Sequence, residues 1–386
     1  MIYLDCNATT PVHPEVRRAI QHTLESVYGN PSSAHALGVA AKELIEAARR
    51  RVAAAVGSAE PSTIVFTASA TEANNLAILG GCGGPLVHRH IVVSAIEHPS
   101  VMEPALKLRR RGWKVSLAPV DDQGRLRLDS LESLLRNEPA DLVSLMFANN
   151  ELGTIQPVEQ AGRIVHAAGA RFHIDASQAL GKLPVDVEEV GADLLTLAGH
   201  KMYAPKGIGA LYIRPGVRLG SILYGASQEN GFRPGTENVP YISALGTAAL
   251  LVPDTLRAQA QVARLRDALQ AHLQEALPGL VVNGSQEHRL PNTLHVSLPW
   301  GSAKQVVSAL ANEVALSTGA ACHEDGGSDE VTGVMRAIGA SAQRARGALR
   351  ISLGFDTLPT EIASASQLIV QACRALRPAG EVEALR

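Results

Sequence analysis

Asp175 and Lys201 stand in two short stretches, HIDASQ (173–178) and LAGHK (197–201). Each follows an apolar run that reads as a buried strand, ARFHID before the acid and DLLTLAG before the lysine. A carboxylate and a primary amine at the ends of adjacent strands can reach one ligand. Pyridoxal phosphate needs this pair. A lysine forms a Schiff base with its aldehyde, and an acid keeps its ring nitrogen protonated. The protonated ring then takes up the electrons of a substrate carbanion. Taken alone, the two residues also fit a surface lysine and a strand-end aspartate with no chemistry.

Other positions offer partners for such a ligand. TASATEANN (67–75) follows the strand-like TIVF and opens a helix. A helix start presents free N–H groups and a positive dipole end, which suit a phosphate. Ala70, through its N–H, and Thr71 are the candidates, against ordinary N-capping. Neither GxxxxGK[ST] nor GxGxxG occurs, which argues against a nucleoside triphosphate or a dinucleotide. His98, in AIEHPSV (95–101), is placed to stack on the ring and move protons, or else is structural. Asn150, in FANNELGTIQP (147–157), is a turn residue or a ligand contact. Gln178 lies a short turn beyond Asp175, where its amide could donate to the phenolic oxygen of the ring. FRPGTENVP (232–240) is a polar loop holding Arg233 and Thr236. Arg350 sits in the apolar run ALRISLG (348–354), so it is either ion-paired or bidentate to a substrate carboxylate. His88 and His90 form an HxH in a predicted loop, with no further metal ligands arranged nearby.

The chain has four cysteines. Cys322 lies in STGAACHEDGGSDEVTG (317–333), a polar, Gly-rich segment predicted as a loop. A cysteine exposed there is a liability unless it is used. Cys6, Cys82 and Cys373 are assigned no chemistry. No CxxC is present, and a cytoplasmic protein with free thiols is expected.

Elements must hold these residues. From about residue 14 to 255, strand-like runs alternate with helical ones, the pattern of a largely parallel sheet covered by helices. A long amphipathic segment, 256–277, is predicted to leave this large domain. The strands NTLHVSL, EVALST and ALRISLG and a final helix then predict a smaller α+β domain. The expected division is 14–255 for the large domain, with 1–13 and 256–386 forming the small one and carrying the cysteine loop. GGCGGP (80–85) reads as a loop, and the RRR of 109–111 as a helix C-terminus.

The 386 residues are 46% hydrophobic and 19% charged, enough for roughly two domains with large cores. A net charge of −2 argues against nucleic acid as a partner. No secretory leader and no apolar run of about 18 residues is read, so no membrane span is expected.

The motifs YLDCNATTP, YGNPSSAH, TASATEANN, EHPSV, ANNELGTIQP, HIDASQALGKLP, GHKMYAPKGIGALY, RPGTEN and LRISLG run nearly end to end. Jointly with the cysteine loop they resemble the cysteine desulfurases and selenocysteine lyases of the class-V aminotransferase family. The resemblance implies a fold-type-I pyridoxal-phosphate enzyme, with a mainly parallel seven-stranded sheet and a smaller α+β domain. It implies that Lys201 is the Schiff-base lysine and the acid/base at the substrate Cα. Asp175 would pair with the pyridinium, Gln178 with the phenolic oxygen, and His98 would stack on the ring and assist proton transfer. Ala70, Thr71 and His200 would hold the phosphate. Thr236 would reach the phosphate of the neighbouring subunit, which implies a homodimer. Asn30, Asn150 and Arg350 would orient the amino acid. Cys322 would accept sulfur from L-cysteine as a persulfide, leaving L-alanine, and pass it to an acceptor such as an iron–sulfur scaffold protein. His98 or His323 would help ionise that thiol. Two departures stand out. Ala198 occupies a position where many desulfurases have a phosphate-binding serine, and GAACHED is closer to animal selenocysteine lyases than to the common ACTS text. A selenocysteine lyase, and a class-V aminotransferase without sulfur chemistry, are the alternatives.

Overall fold

The computed structural model describes residues 1–82, 88–318 and 332–377. Twelve strands lie among them. In chain order they are β1 (Ile2–Tyr3), β2 (Ile64–Thr67), β3 (His90–Ser94), β4 (Lys114–Ala118), β5 (Leu142–Met146), β6 (Arg171–Asp175), β7 (Leu194–Ala198), β8 (Gly209–Ile213), β9 (Val281–Val282), β10 (Thr293–Ser297), β11 (Val314–Ala315) and β12 (Ala348–Ser352).

Seven of them form one sheet in the order β2-β8-β7-β6-β5-β3-β4. Strand β8 runs antiparallel to both neighbours, and the other pairings are parallel. The strands HIVVS, LVSLM, LLTLA and GALYI are buried throughout. Such near-continuous apolar strands are what a sheet covered on both faces requires. The carboxyl ends of β2, β3, β5, β6 and β7 open on one edge, where ligands of open α/β sheets bind.

A second sheet, β12-β10-β9, is antiparallel, and β1 pairs with β11. Its core is a separate apolar cluster built from Leu4, Leu294, Val296, Leu349 and Ile351 together with two helices. Val262, Leu265, Leu269 and Leu273 form one stripe of the helix Val252–Ala276. Ile362, Ala365, Ile369 and Cys373 do the same for Pro359–Ala375. The helix predicted over 256–277 begins earlier, at Val252, and the first turn accepts Pro253 because its missing N–H has no intrahelical partner there. Residue 255 therefore falls inside this helix, and Val252 packs on the large cluster while Val262 packs on the small one.

Two local expectations differ. Gly80 and Gly81 continue the helical run that starts at Ala70, through a wider turn over Leu76–Gly80. A Cβ on Gly80 would meet the carbonyl of Gly220 at 2.3 Å, so glycine serves close packing there. His90 is the first residue of β3 and buried, its ring hydrogen-bonded to Pro139 O and Ser116 Oγ. No cluster of three metal-ligating side chains occurs among the described residues. The arginines at 109–111 do close the helix Pro99–Arg110. No single described helix is long and apolar enough to cross a bilayer.

Candidate active site

A cavity of about 470 Å³ opens at the carboxyl edge of the large sheet. Its wall includes Lys201, Asp175, His98, Ala70, Thr71, Gln178, His200, Asn150 and Arg350. These come from positions scattered over 280 residues of chain. Asn30 and Thr236 are exposed and do not line it. Cys322 and His323 lie outside the described residues.

Asp175 ends β6 and is buried. Its Oδ2 accepts from Asn74 Nδ2 at 2.8 Å, and its Oδ1 from the Ser177 amide at 2.9 Å. Lys201 closes the tight turn Gly199–Lys201 that follows β7. A Cβ on Gly199 would meet Ile208 at 2.8 Å, so only glycine lets this turn pack on the next strand. The Lys201 Nζ donates to the carbonyls of Asn7 and, at 2.8 Å, Ala8. Burial, then the nearby Lys201, Lys206 and Lys182, push the His200 pKa down to about 4. His200 is thus neutral near pH 7, with Nδ1 paired to Thr9 Oγ1 at 3.1 Å.

The helix from Ala70 starts at Ser69, whose hydroxyl takes the Glu72 N–H. Ala70 and Thr71 stand at the helix start on the cavity wall. A Cβ on Gly209 would lie 2.8 Å from the Ala70 nitrogen, so β8 presses directly against this turn. TASATEANN is thus a Ser69-capped helix whose first residues, Ala70 and Thr71, lie at the cavity wall. Ala198 lines the cavity beside it and contributes no hydroxyl.

Asn7 joins the small sheet to the site. Its Nδ2 donates to Thr293 Oγ1 at 2.8 Å and to Asn150 O at 3.2 Å. Its Oδ1 accepts from Asn292 and from Lys182, both at 3.1 Å. Its carbonyl accepts from Gln178 Nε2 at 2.9 Å. Lys182 also donates to Gln178 Oε1. Burial, reinforced by Lys201, lowers the Lys182 pKa to about 7.

Arg350 forms a buried ion pair with Asp5 at 2.8 Å and donates to Asn150 O at 3.0 Å. It also lines the cavity. The ion pair and the ligand contact are thus compatible, since Asp5 fixes the guanidinium at the wall. Asn150 lies in a turn and at the wall as well. His98 caps the helix Pro99–Arg110 through Nδ1. Its neighbour Glu97 is buried, with Oε1 accepting from Ser94 Oγ and the Met146 amide. Burial raises the Glu97 carboxyl to about 8, helped by the charge of Asp175.

Asn7, Asn74, Glu97, Ser100 and Lys182 escaped the residue-by-residue reading. All five fall inside quoted motifs, YLDCNATTP, TASATEANN, EHPSV and HIDASQALGKLP, but no periodicity marks them as site residues. Cys6, Cys82 and Cys373 are buried, and burial pushes each thiol up to about 12. None is a nucleophile near neutral pH.

The family model described as aminotransferase class-V matches residues 2–364. The chain belongs to the class-V aminotransferase family. Within this family it is 42% identical over 382 residues to "Cysteine desulfurase 2" of Trichormus variabilis (strain ATCC 29413 / PCC 7937), covering 98% of the chain and 95% of the relative. A solved NifS-like protein superposes with a TM-score of 0.89 at 35% identity, covering 97% of this chain and 100% of that one. The structure titled "SspA in complex with cysteine" gives 0.80 at 32% identity, covering 93% and 100%. Both superpositions extend over nearly the whole chain, in line with the fold class expected from the motifs.

Proposed function

We propose that this class-V member is a pyridoxal-phosphate-dependent cysteine desulfurase, converting L-cysteine to L-alanine with the sulfur left as a persulfide on Cys322. One observation carries the reading: Lys201 and Asp175, from the ends of neighbouring strands, line one cavity with a helix-start donor edge and a paired arginine. The similarity to cysteine desulfurases along nearly the whole chain supports it.

The donor set fits the cofactor. Ser177 Oγ, buried at the wall, has no hydrogen-bond partner among the described residues, which suits a polar ligand. Asp175 would face the ring nitrogen and Gln178 the phenolic oxygen. Ala70, Thr71 and neutral His200 would hold the phosphate, with Thr236 reaching the phosphate of a partner subunit in a homodimer. When bound through a lysine, pyridoxal phosphate supplies an electron sink for the pair left at Cα.

The chain's own groups then divide the work. Arg350, held by Asp5, binds the substrate carboxylate, and Asn150 orients the amino acid. Lys201 Nζ takes the Cα proton. The Cys322 thiolate attacks the substrate Sγ. An S–S bond forms, the Cβ–Sγ bond breaks, and its electron pair stays on Cβ, which is protonated to alanine. An acceptor protein, such as an iron–sulfur scaffold, would then take the sulfur.

The test is Cys322→Ser together with Lys201→Ala. Lys201→Ala should abolish turnover of every substrate. Cys322→Ser should stop sulfur release from L-cysteine and leave the yellow, borohydride-reducible cofactor in place. Full desulfurase activity in Cys322→Ser would remove Cys322 from the reaction. Selenocysteine turnover far above cysteine turnover in the unmodified enzyme would favour a lyase instead.

A further inference from the structure

We propose that Asn74 and Ser100 are positioning residues that hold the His98 ring as one tautomer, with its proton on Nε2 and its basic lone pair, on Nδ1, facing Ser100.

The direction of each hydrogen bond follows from one fixed end. Asn74 Nδ2 lies 2.8 Å from Asp175 Oδ2. A carboxylate accepts only, so the amide must turn its nitrogen there. The same Nδ2 lies 2.8 Å from Ser100 Oγ and donates its second hydrogen to it. Ser100 Oγ lies 2.8 Å from His98 Nδ1. With one lone pair engaged by Asn74, the serine hydroxyl is free to give its own hydrogen to the ring. The other end agrees independently. The Ser100 amide donates to the same Nδ1 at 3.1 Å. An amide N–H cannot accept, so Nδ1 carries a lone pair and the neutral ring carries its hydrogen on Nε2.

Asn74 is fully buried and Ser100 nearly so, which shields this chain from competing water. Asp175 therefore acts twice. It faces the cavity directly, and through two side chains it sets the form of His98. In this form the lone pair of the ring is engaged by Ser100. His98 is then not the base that ionises the thiol of Cys322 or of the substrate. That consequence rests on the desulfurase reading, whereas the tautomer does not.

Nitrogen NMR of histidine-labelled protein tests the assignment, with and without added pyridoxal phosphate. His98→Gln identifies the signal among the 13 histidines. Near neutral pH, Nδ1 should resonate as an unprotonated acceptor and Nε2 as a protonated nitrogen. Ser100→Ala and Asn74→Leu should each shift part of the population to the Nδ1–H tautomer, the Ser100 amide retaining the rest, and Ser100→Thr should restore the original. Turnover of cysteine should fall roughly tenfold in Ser100→Ala, about the worth of one hydrogen bond, and recover in Ser100→Thr. A proton on Nδ1 in the unmodified protein overturns the proposal. So does a signal that neither Ser100→Ala nor Asn74→Leu changes. If the tautomer is as stated but cysteine is not a substrate, the functional reading fails and this one stands.

Discussion

Lys182 Nζ donates to the amide oxygen of Gln178, which leaves the Gln178 nitrogen facing Asn7 O and the cavity. An asparagine or glutamine side chain is otherwise symmetric enough to turn over. The buried lysine therefore decides which end of Gln178 a ligand meets. Lys182→Met should weaken pyridoxal phosphate binding by roughly tenfold, the size of one lost polar contact, as read by spectral titration. An unchanged dissociation constant would remove Lys182 from the site.

Asp5 and Arg350 form a second buried pair, with Arg350 3% and Asp5 19% exposed at the side chain. Removing one partner leaves the other charge uncompensated, at a cost of about 3–5 kcal/mol. Arg350→Gln should therefore lower stability in denaturant melts and raise KM for cysteine. The double variant Asp5→Asn, Arg350→Gln should regain much of the stability and none of the KM. Recovery of KM in the double variant would show that Arg350 does not bind substrate.

Glu97 makes stability depend on pH. Its folded-state carboxyl sits near 8 against an ordinary value of 4.5, raised by burial and by Asp175. Between these values the folded protein holds a proton that the unfolded chain releases. Raising the pH through this window thus favours unfolding. Glu97→Gln should flatten that part of the stability–pH curve in cofactor-free protein, read by chemical denaturation from about pH 5 to 8. Equal slopes in both proteins would mean that Glu97 is ionised when folded.

Ala198 lies on the cavity wall beside the proposed phosphate contacts. Ala198→Ser adds a hydroxyl at a buried position that has none. One added hydrogen bond is worth about 0.5–1.5 kcal/mol, so cofactor affinity should rise roughly two- to tenfold. Unchanged or weaker binding, measured by the same titration, would mean that the phosphate already has its partners or lies elsewhere.

Local sequence was enough for much of this. Asp175 and Lys201 each follow an apolar run, and a buried strand ends where such a run ends. Their positions relative to the sheet were therefore readable. The helices Pro14–Ser26 and Ala36–Ala55 follow from apolar periodicity, and the basic run 109–111 marks the end of Pro99–Arg110. His90 belongs to β3 rather than to a loop, because its polar ring finds buried partners in Pro139 and Ser116 that local sequence does not reveal.

By itself the sequence determined the alternation of strands and helices and the family motifs, and it pointed to Asp175, Lys201 and Cys322 as candidates. Tertiary structure alone decided who touches whom across long separations. Asn7 meets Thr293, Arg350 meets Asp5, and Asn74 meets Asp175. It also decided the environments, a carboxyl held near 8 and a lysine near 7, because burial sets those values and burial is a property of the packed whole. The pair Asp175 and Lys201 is legible from the chain, whereas the grip on its neighbours His98 and Gln178 belongs to the fold.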